Sequence, residues 1–208
     1  MPDTRGKLLV GALETLRTRG IAGTSARAVA SAAGVNQALV FYHFGSMDDL
    51  LVAALEHGAE EQVARYRGRF ERVSSIGGLV ELSRALRADE EAERNMTVIA
   101  QLLAGGRANP KLAAATARGL DLWVAELRTV LRRVLTGTPL AEFVDTDGLA
   151  RALAASFLGL DLYGGVDEAS ARRATAALEQ FAVLMSALDD LGPVVRRAVR
   201  TRLRRAGR

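Results

Sequence analysis

Twenty residues near the start of the chain constrain its fold more than any others: Ser25-Ala-Arg-Ala-Val-Ala-Ser-Ala-Ala-Gly34-Val-Asn-Gln-Ala-Leu-Val-Phe-Tyr-His-Phe44. The spacing predicts a helix over roughly 25–32 with Thr24 or Ser25 as its N-cap, a break at Gly34, and a second short helix capped by Asn36 and ending near Phe44-Gly45. Ala30 is small where two helices must approach closely. Gly34, four residues on, permits the left-handed conformation that a tight helix-to-helix corner requires. Val29, Ala33, Val35 and Val40 then fall on the inner faces of both helices and share a miniature core. Two helices joined in this way cross at about 90–120°, and the outer face of the second is left open.

The residues expected on that outer face are Asn36, Gln37, Ala38, Leu39 and Tyr42. Asn and Gln pair bidentately with adenine in a DNA major groove, and Ala or Leu can touch a thymine methyl. Alanine-rich helices joined by glycine also build purely structural hairpins. The twenty residues alone leave both readings open.

Charge is distributed in a way that bears on this choice. The net charge is +4, but residues 1–45 carry five basic groups (Arg5, Lys7, Arg17, Arg19, Arg27) against Asp3 and Glu14. Residues 192–208 carry seven arginines and no acid, whereas 71–191 hold 13 basic against 17 acidic groups, a net −4. A basic head on an acidic body suits a polyanion at one end only. With 49% hydrophobic and 25% charged residues the composition is that of a globular protein, and 208 residues suffice for a small domain joined to a larger one. There is no cysteine, so disulfides and thiolate metal sites are excluded. The longest apolar run, around Ala152 to Leu160, is far short of the ~20 residues a bilayer span needs. No secretory signal pattern opens the chain. A cytoplasmic protein with no membrane partner is the expectation.

Hydrophobic periodicity and cap signals predict an all-α protein of nine or ten helices: roughly 4–18, 25–32, 36–44, 46–73, 76–88, 93–104, 110–136, 146–163, 168–190 and 193–205. Leu8, Leu9, Ala12, Leu13 and Leu16 form one face of the first, with Gly20 just past its end. Ser46 is the expected cap of the fourth, whose first turn holds Asp48 and Asp49 where the helix dipole favours acids.

The string Gly34-Val-Asn-Gln-Ala-Leu-Val-Phe-Tyr-His-Phe-Gly-Ser-Met-Asp-Asp-Leu-Leu51, preceded by Gly23-Thr-Ser25 and a helix ending in Gly20, resembles the N-terminal domain of the TetR family of repressors. The resemblance spans about residues 5–55, and beyond it only helicity and length agree. It implies a three-helix helix-turn-helix DNA-binding domain over 1–46 and a larger helical ligand-binding and dimerisation domain over 47–208. It places Thr24, Ser25 and Arg27 against the DNA backbone, and Asn36, Gln37, Ala38 and Leu39 at the reading end of the recognition helix. Tyr42 and His43 fall where family members meet phosphates, and Phe44 looks like a core residue. Two positions depart from the pattern. Phe41 stands where tyrosine is usual, and Met47 stands where lysine is usual, so a hydroxyl and an ammonium are missing. A lighter grip on the DNA backbone is expected.

A regulator of this kind needs two reading heads about one DNA turn apart, roughly 34–36 Å. The segment 168–190 offers a seam of Ala171, Ala174, Leu178, Phe181, Met185 and Leu188, and the helix before it offers Leu149, Leu153, Phe157 and Leu160. These two helices are expected to pair with a second copy as a four-helix interface; the alternative is that they close the chain's own core. Met96, Leu103, Leu120, Trp123, Leu127 and Phe157 are candidates to line a cavity for a small, largely apolar effector, with Trp123 the strongest. Ordinary core packing is the competing reading for each. The arginine run 196–205 reads as the solvated face of a final amphipathic helix or as a polyanion-binding arm.

An enzyme is the main alternative class. The sequence contains no His-Glu-x-x-His, Gly-x-Ser-x-Gly, Walker or dinucleotide motif, and its two histidines have no metal-ligand spacing. His57 has Glu61 within reach, a surface pair at most. No catalytic residue, metal or cofactor is expected. A helical interaction module that no longer binds DNA is a third class, supported only by Phe41 and Met47.

Overall fold

A computed structural model describes residues 3–93, 95–105, 109–138, 140–187, 195, 197–198 and 201–202, with the backbone alone at 90–93, 95–97, 104 and 105. Among these residues there are helices and no strand: α1 (Thr4–Arg19), α2 (Ala26–Ala33), α3 (Ala38–Phe44), α4 (Met47–Arg72), α5 (Ile76–Glu93), α6 (Asn95–Gly105), α7 (Pro110–Leu135), α8 (Thr146–Gly164) and α9 (Glu168–Ser186). The all-α expectation holds. The chain forms two compact units, Met1–Arg65 with Glu90–Trp123, and Tyr66–Asp89 with Val124–Arg208.

Caps set the boundaries in the first unit. Asp3 accepts from the Gly6 N–H and opens α1; Ser25 accepts from the Ala28 N–H and opens α2. Thr24 has a different task, donating its hydroxyl to the Gly20 carbonyl at 2.7 Å and closing the turn after α1. Gly20, Gly34 and Gly45 end the first three helices, all at positive φ. Gly34 takes the left-handed conformation at φ 66°, and its N–H and that of Val35 return to α2 carbonyls, satisfying the helix end. Ser46 and Asp49 bond reciprocally at the start of α4, the serine oxygen taking the Asp49 N–H at 3.1 Å and its hydroxyl donating to the carboxylate at 2.6 Å.

The core of this unit is continuous. Leu8, Leu9, Ala12 and Leu16 of α1, Val29 and Ala30 of α2, Val40 of α3, and Leu50, Leu51 and Ala54 of α4 are buried together with Val98 and Leu102 of α6 and Leu112 of α7. The first three helices therefore share one apolar interior with residues of α4, α6 and α7. α1 and α2 cross closely at Gly11, where a Cβ would stand 2.9 Å from the Ala33 Cβ and 3.0 Å from the Val29 carbonyl oxygen. Ala30, the small residue expected at a close approach, is itself buried in this core.

In the second unit Val124 and Leu131 of α7 bury against Ala150 of α8, with Leu79, Leu127, Leu149, Leu153 and Ala154 packed around them. Arg133 donates to the carbonyls of Phe70, Glu71 and Val73 at 3.1, 2.9 and 2.7 Å and so caps the C-terminal end of α4 with a cation, where the helix dipole favours one. Arg84 of α5 grips Glu179 of α9 through two bonds of 2.9 and 2.8 Å. α8 and α9 form an antiparallel hairpin over a three-residue connection, with Asp167 capping α9 through the Ser170 N–H. Leu188 and, of the arginine run 196–205, Arg196, Arg200, Arg204 and Arg205 lie outside the described residues.

Candidate nucleic-acid interface

α3 is seven residues long and has two distinct sides. Val40 is completely buried, and Leu39, His43 and Phe44 are half-buried behind it. Asn36, Gln37, Ala38, Phe41 and Tyr42 are exposed, Tyr42 by 81% and Phe41 by 49%. Residues three and four apart share a helix face, so 37, 38, 41 and 42 present one continuous surface. Leu39, expected among the readers, packs instead against the buried core of the head. Phe44 does the same, as expected, and carries the Arg5 guanidinium 5.1 Å above its ring.

The polar groups of the head divide by what they have already spent. Asn36 accepts the Ala38 N–H at 2.8 Å, so its carboxamide oxygen starts α3 and its NH2 group is the part turned to other uses. The Ser25 oxygen takes the Ala28 N–H at 3.3 Å, which leaves its hydroxyl hydrogen to donate outward. Arg27, one residue into α2, is exposed. The Thr24 hydroxyl hydrogen is engaged within the turn, whereas Ser25 and Arg27, the other two backbone anchors expected at α2, are exposed. The Tyr42 and His43 rings meet edge to face at 5.0 Å, and His43 and Phe44 at 6.4 Å, which fixes the aromatic end of α3. Arg5 was not singled out by sequence reasoning; an i, i+3 or cap signal could not have revealed it, because its contact with Phe44 joins two helices far apart in the chain.

Met47, where a cation was missed, packs against the head's core and contributes apolar contact there. A cation does reach the first turn of α4, from α7: Lys111 pairs with Asp49 at 2.9 Å, beside an Asn109-to-Asp48 hydrogen bond of 3.1 Å. The Ser46 hydroxyl, and after it the Lys111 ammonium, hold the Asp49 carboxyl below its ordinary range, and Lys111 is raised by the same pair.

The remaining predicted residues lie elsewhere. Leu103, Leu120 and Trp123 belong to the first unit, Leu103 exposed and the other two half-buried, while Leu127 and Phe157 belong to the second. Phe157 lies under the Arg87 guanidinium at 5.0 Å. The Met96 side chain lies outside the described residues. Leu149 and Leu153 pack on the core of the second unit, whereas Leu178 and Phe181 are exposed by 50% and 61%. Phe157, Leu160, Ala174 and Met185 are half-buried. Sequence reasoning missed Leu162, Val183 and Leu184, and Tyr163, a further cavity candidate, is exposed as well; all four are apolar residues of α8 and α9. His57 and Glu61 form the surface pair expected, at 3.4 Å.

A short helix with a buried back and an open face, set across a left-handed glycine from a helix capped by serine, defines a helix-turn-helix protein. Residues 8–54 match the family model described as bacterial regulatory proteins, tetR family. It is 26% identical over 111 residues to the HTH-type transcriptional regulator UidR of Escherichia coli K12, a match covering 53% of this chain and 56% of UidR. The chain thus spans about half the length of the curated relatives it matches. Among solved structures it resembles a transcriptional regulator from Rhodococcus sp. Rha1 (25% identity, TM-score 0.66, 92% of this chain and all of that one). It also resembles the multidrug binding protein EbrR complexed with proflavin (26% identity, TM-score 0.58, 85% of this chain and 99% of that one).

Proposed function

We propose that the protein is a DNA-binding transcriptional regulator, acting as a homodimeric repressor on a palindromic operator and released by a small, largely apolar effector. The observation that carries the reading is the two-sided α3, whose back is fixed by Val40 and whose open face holds groups suited to base edges. Ser25, Arg27, Tyr42 and His43 supply the donors that would set register on the phosphates, and Gln37 and Ala38 the contacts that read sequence. The domain assignment of 1–46 to DNA and 47–208 to ligand and dimerisation follows this division of roles.

The exposed apolar residues of α8 and α9 support pairing with a second copy. Self-association there would bring two heads to a two-fold symmetric site. The effector reading is supported by EbrR, a similar protein that holds proflavin; within the first unit of this chain Leu103, Leu120 and Trp123 are the proposed lining. α4 begins two residues after α3 and continues without a break to Arg72, and α7 grips its first turn through Lys111 and Asn109. A change in either helix would reach the head. To empty an operator, the effector must bind the released arrangement several kcal/mol more tightly than the DNA-bound one.

An electrophoretic shift on the DNA flanking the protein's own coding region tests the central reading. A retarded band at low salt that is competed by the same duplex, and not by unrelated DNA, is the expected result. Absence of binding across that region at low salt would sink it. A thermal-shift screen with apolar aromatic compounds, followed by the same gel, tests the effector: a compound that raises Tm and leaves the shifted band unchanged refutes the coupling.

A further inference from the structure

The open face of α3 is notable for the chemistry it lacks. Between Arg27 and Arg65 the sequence contains no lysine or arginine, so α3 presents no cation to a base. The commonest specific contact to guanine in the major groove, a guanidinium or ammonium on O6 and N7, has no donor on this helix. What the face does present is one carboxamide, Gln37, and an apolar pair, the Ala38 methyl and the half-exposed Phe41 ring, three residues apart and therefore side by side. Tyr42 flanks them. Asn36 is occupied at its oxygen by the α3 cap.

Resting on the DNA-binding reading above, we propose that α3 recognises A·T base pairs through thymine methyl groups, with Phe41 and Ala38 as the apolar readers and Gln37 as the adenine reader. An aromatic ring left half in water on a seven-residue helix gains by covering an apolar group, and the C5-methyl of thymine is the one apolar group that a base pair displays in the major groove. Phe41 is thus a specificity determinant, and its missing hydroxyl is part of the reading surface. Adenine offers N6–H and N7 to a carboxamide, which suits Gln37. Guanine contacts, where the operator has them, would come from Arg27 on α2 and depend on that side chain.

The test uses the full chain and a random duplex library. The site that is enriched is remade with single thymines replaced by deoxyuridine, which removes only the methyl, and with single guanines replaced by 7-deazaguanine, which removes only N7. Deoxyuridine at one or two positions of each half-site is expected to weaken binding by about fourfold per methyl, the value of one buried carbon group. Phe41→Ala should weaken binding to the thymine site and make it indifferent to the methyl at one of those positions, while the circular dichroism and Tm of the variant stay those of the parent. Guanine replacement should have no effect, or an effect that disappears in Arg27→Ala. If the parent ignores every methyl, if Phe41→Ala keeps the full methyl dependence, or if guanine dependence survives Arg27→Ala, the proposal is overturned while the DNA-binding reading stands. If no duplex is enriched at low salt, both fall together.

Discussion

Gln101 of α6 accepts the Ile21 backbone N–H through its side-chain oxygen at 3.1 Å, tying α6 to the turn that separates α1 from α2. The same oxygen stands 2.7 Å from the place a Cβ would take on Gly20, which ends α1 at φ 68°. A single side chain eighty positions away thus supports the turn from which the helix-turn-helix begins.

Gln101→Ala leaves the half-buried Ile21 N–H without its protein partner. The expected cost is about 1–2 kcal/mol, the usual price of an orphaned backbone donor. Urea unfolding should show a lower midpoint with an unchanged slope. A midpoint equal to the parent's would mean that water replaces the carboxamide at no cost.

Two glycines in the head do different work, and substitution should separate them. Gly34 is left-handed with nothing within 4 Å of a would-be Cβ, so Gly34→Ala costs only the backbone strain, about 1–2 kcal/mol. Gly11 has ordinary helical conformation but no room: its Cβ would press on Ala33 and the Val29 carbonyl, both on α2. Gly11→Ala must push α1 and α2 apart, and a loss of roughly 1–3 kcal/mol is expected from overpacking, together with a loss of DNA affinity that Gly34→Ala shows to a smaller degree. Thermal unfolding and a gel shift on the same preparations distinguish the two. Gly34→Asn, which tolerates the left-handed region, should recover part of the stability that alanine loses.

The helices and the turn were legible because their signals are local. Gly20, Ser25, Gly34, Gly45 and Ser46 each mark a boundary within four residues of the backbone group they satisfy, and the helix limits follow from them. The two sides of α3 were read from the 3.6-residue period with two exceptions, Phe41, which is exposed though not placed on the open face, and Leu39, which was placed there and packs inward. Leu39 lies on the border of the buried arc, and whether such a residue turns in or out depends on what packs behind it, here a core to which α4, α6 and α7 contribute. Contacts between distant segments left no trace in spacing: Gln101 with Ile21, Arg5 with Phe44, Lys111 with Asp49, and Gly11 against α2. The α8–α9 seam was drawn as one stripe of apolar residues, yet Leu149 and Leu153 go to the core of their own unit while Leu162, Tyr163, Val183 and Leu184 stay outside. A helix with two apolar flanks does not reveal from sequence alone which flank its own chain will cover.

Met47→Lys restores an ammonium at the start of α4. With one added phosphate contact, the slope of log affinity against log salt should steepen by about one unit, and binding at low salt should tighten. Met47 packs on the head's core, so the substitution also removes apolar contact, and a stability loss of about 1 kcal/mol is expected even though the lysine stem covers part of the surface. Binding isotherms at several salt concentrations check the first effect and urea unfolding the second. A slope unchanged from the parent would place residue 47 away from the DNA backbone.

The Asp49–Lys111 pair sets a pH window. Asp49 is lowered by the Ser46 hydroxyl first and Lys111 second, so its contribution is complete above the unfolded carboxyl value, about 4, and is lost as pH falls through the lower folded value. Lys111 is raised by Asp49, so its contribution is complete below about 10 and is lost as pH rises through the higher folded value. Both groups are solvent-exposed, and the effect is accordingly small and weakened by salt. Asp49→Asn should flatten the acid limb and weaken the alkaline limb of the stability profile together, because it removes the Asp49 titration and the largest cause of the Lys111 shift, leaving the smaller one from Asp48. An alkaline limb unchanged in Asp49→Asn would mean that Lys111 gains nothing from the pair.

α9 exposes Leu178, Phe181, Val183 and Leu184, and α8 exposes Leu162 and Tyr163 beside the small residues Ala152, Ala155 and Gly159. Small residues on one helix let a partner's backbone approach, and each large side chain covered there contributes about 1.5–3 kcal/mol when its burial is complete. Phe181→Asp with Leu184→Asp changes side chains that are 61% and 69% exposed, so the chain should fold as before. Sedimentation should then report a monomer where the parent is a dimer. Affinity for a two-fold symmetric operator should fall by a factor of about 10²–10⁴, because the second head is no longer delivered at high local concentration. Leu149→Ala with Leu153→Ala gives the contrast: those side chains pack on Val124, Leu131 and Ala150, so that variant should lose Tm first and dimerise in proportion to what remains folded. A parent that is monomeric at micromolar concentration, or a Phe181/Leu184 variant that stays dimeric with full operator affinity, would remove α8 and α9 from the assembly and leave their apolar face to another partner.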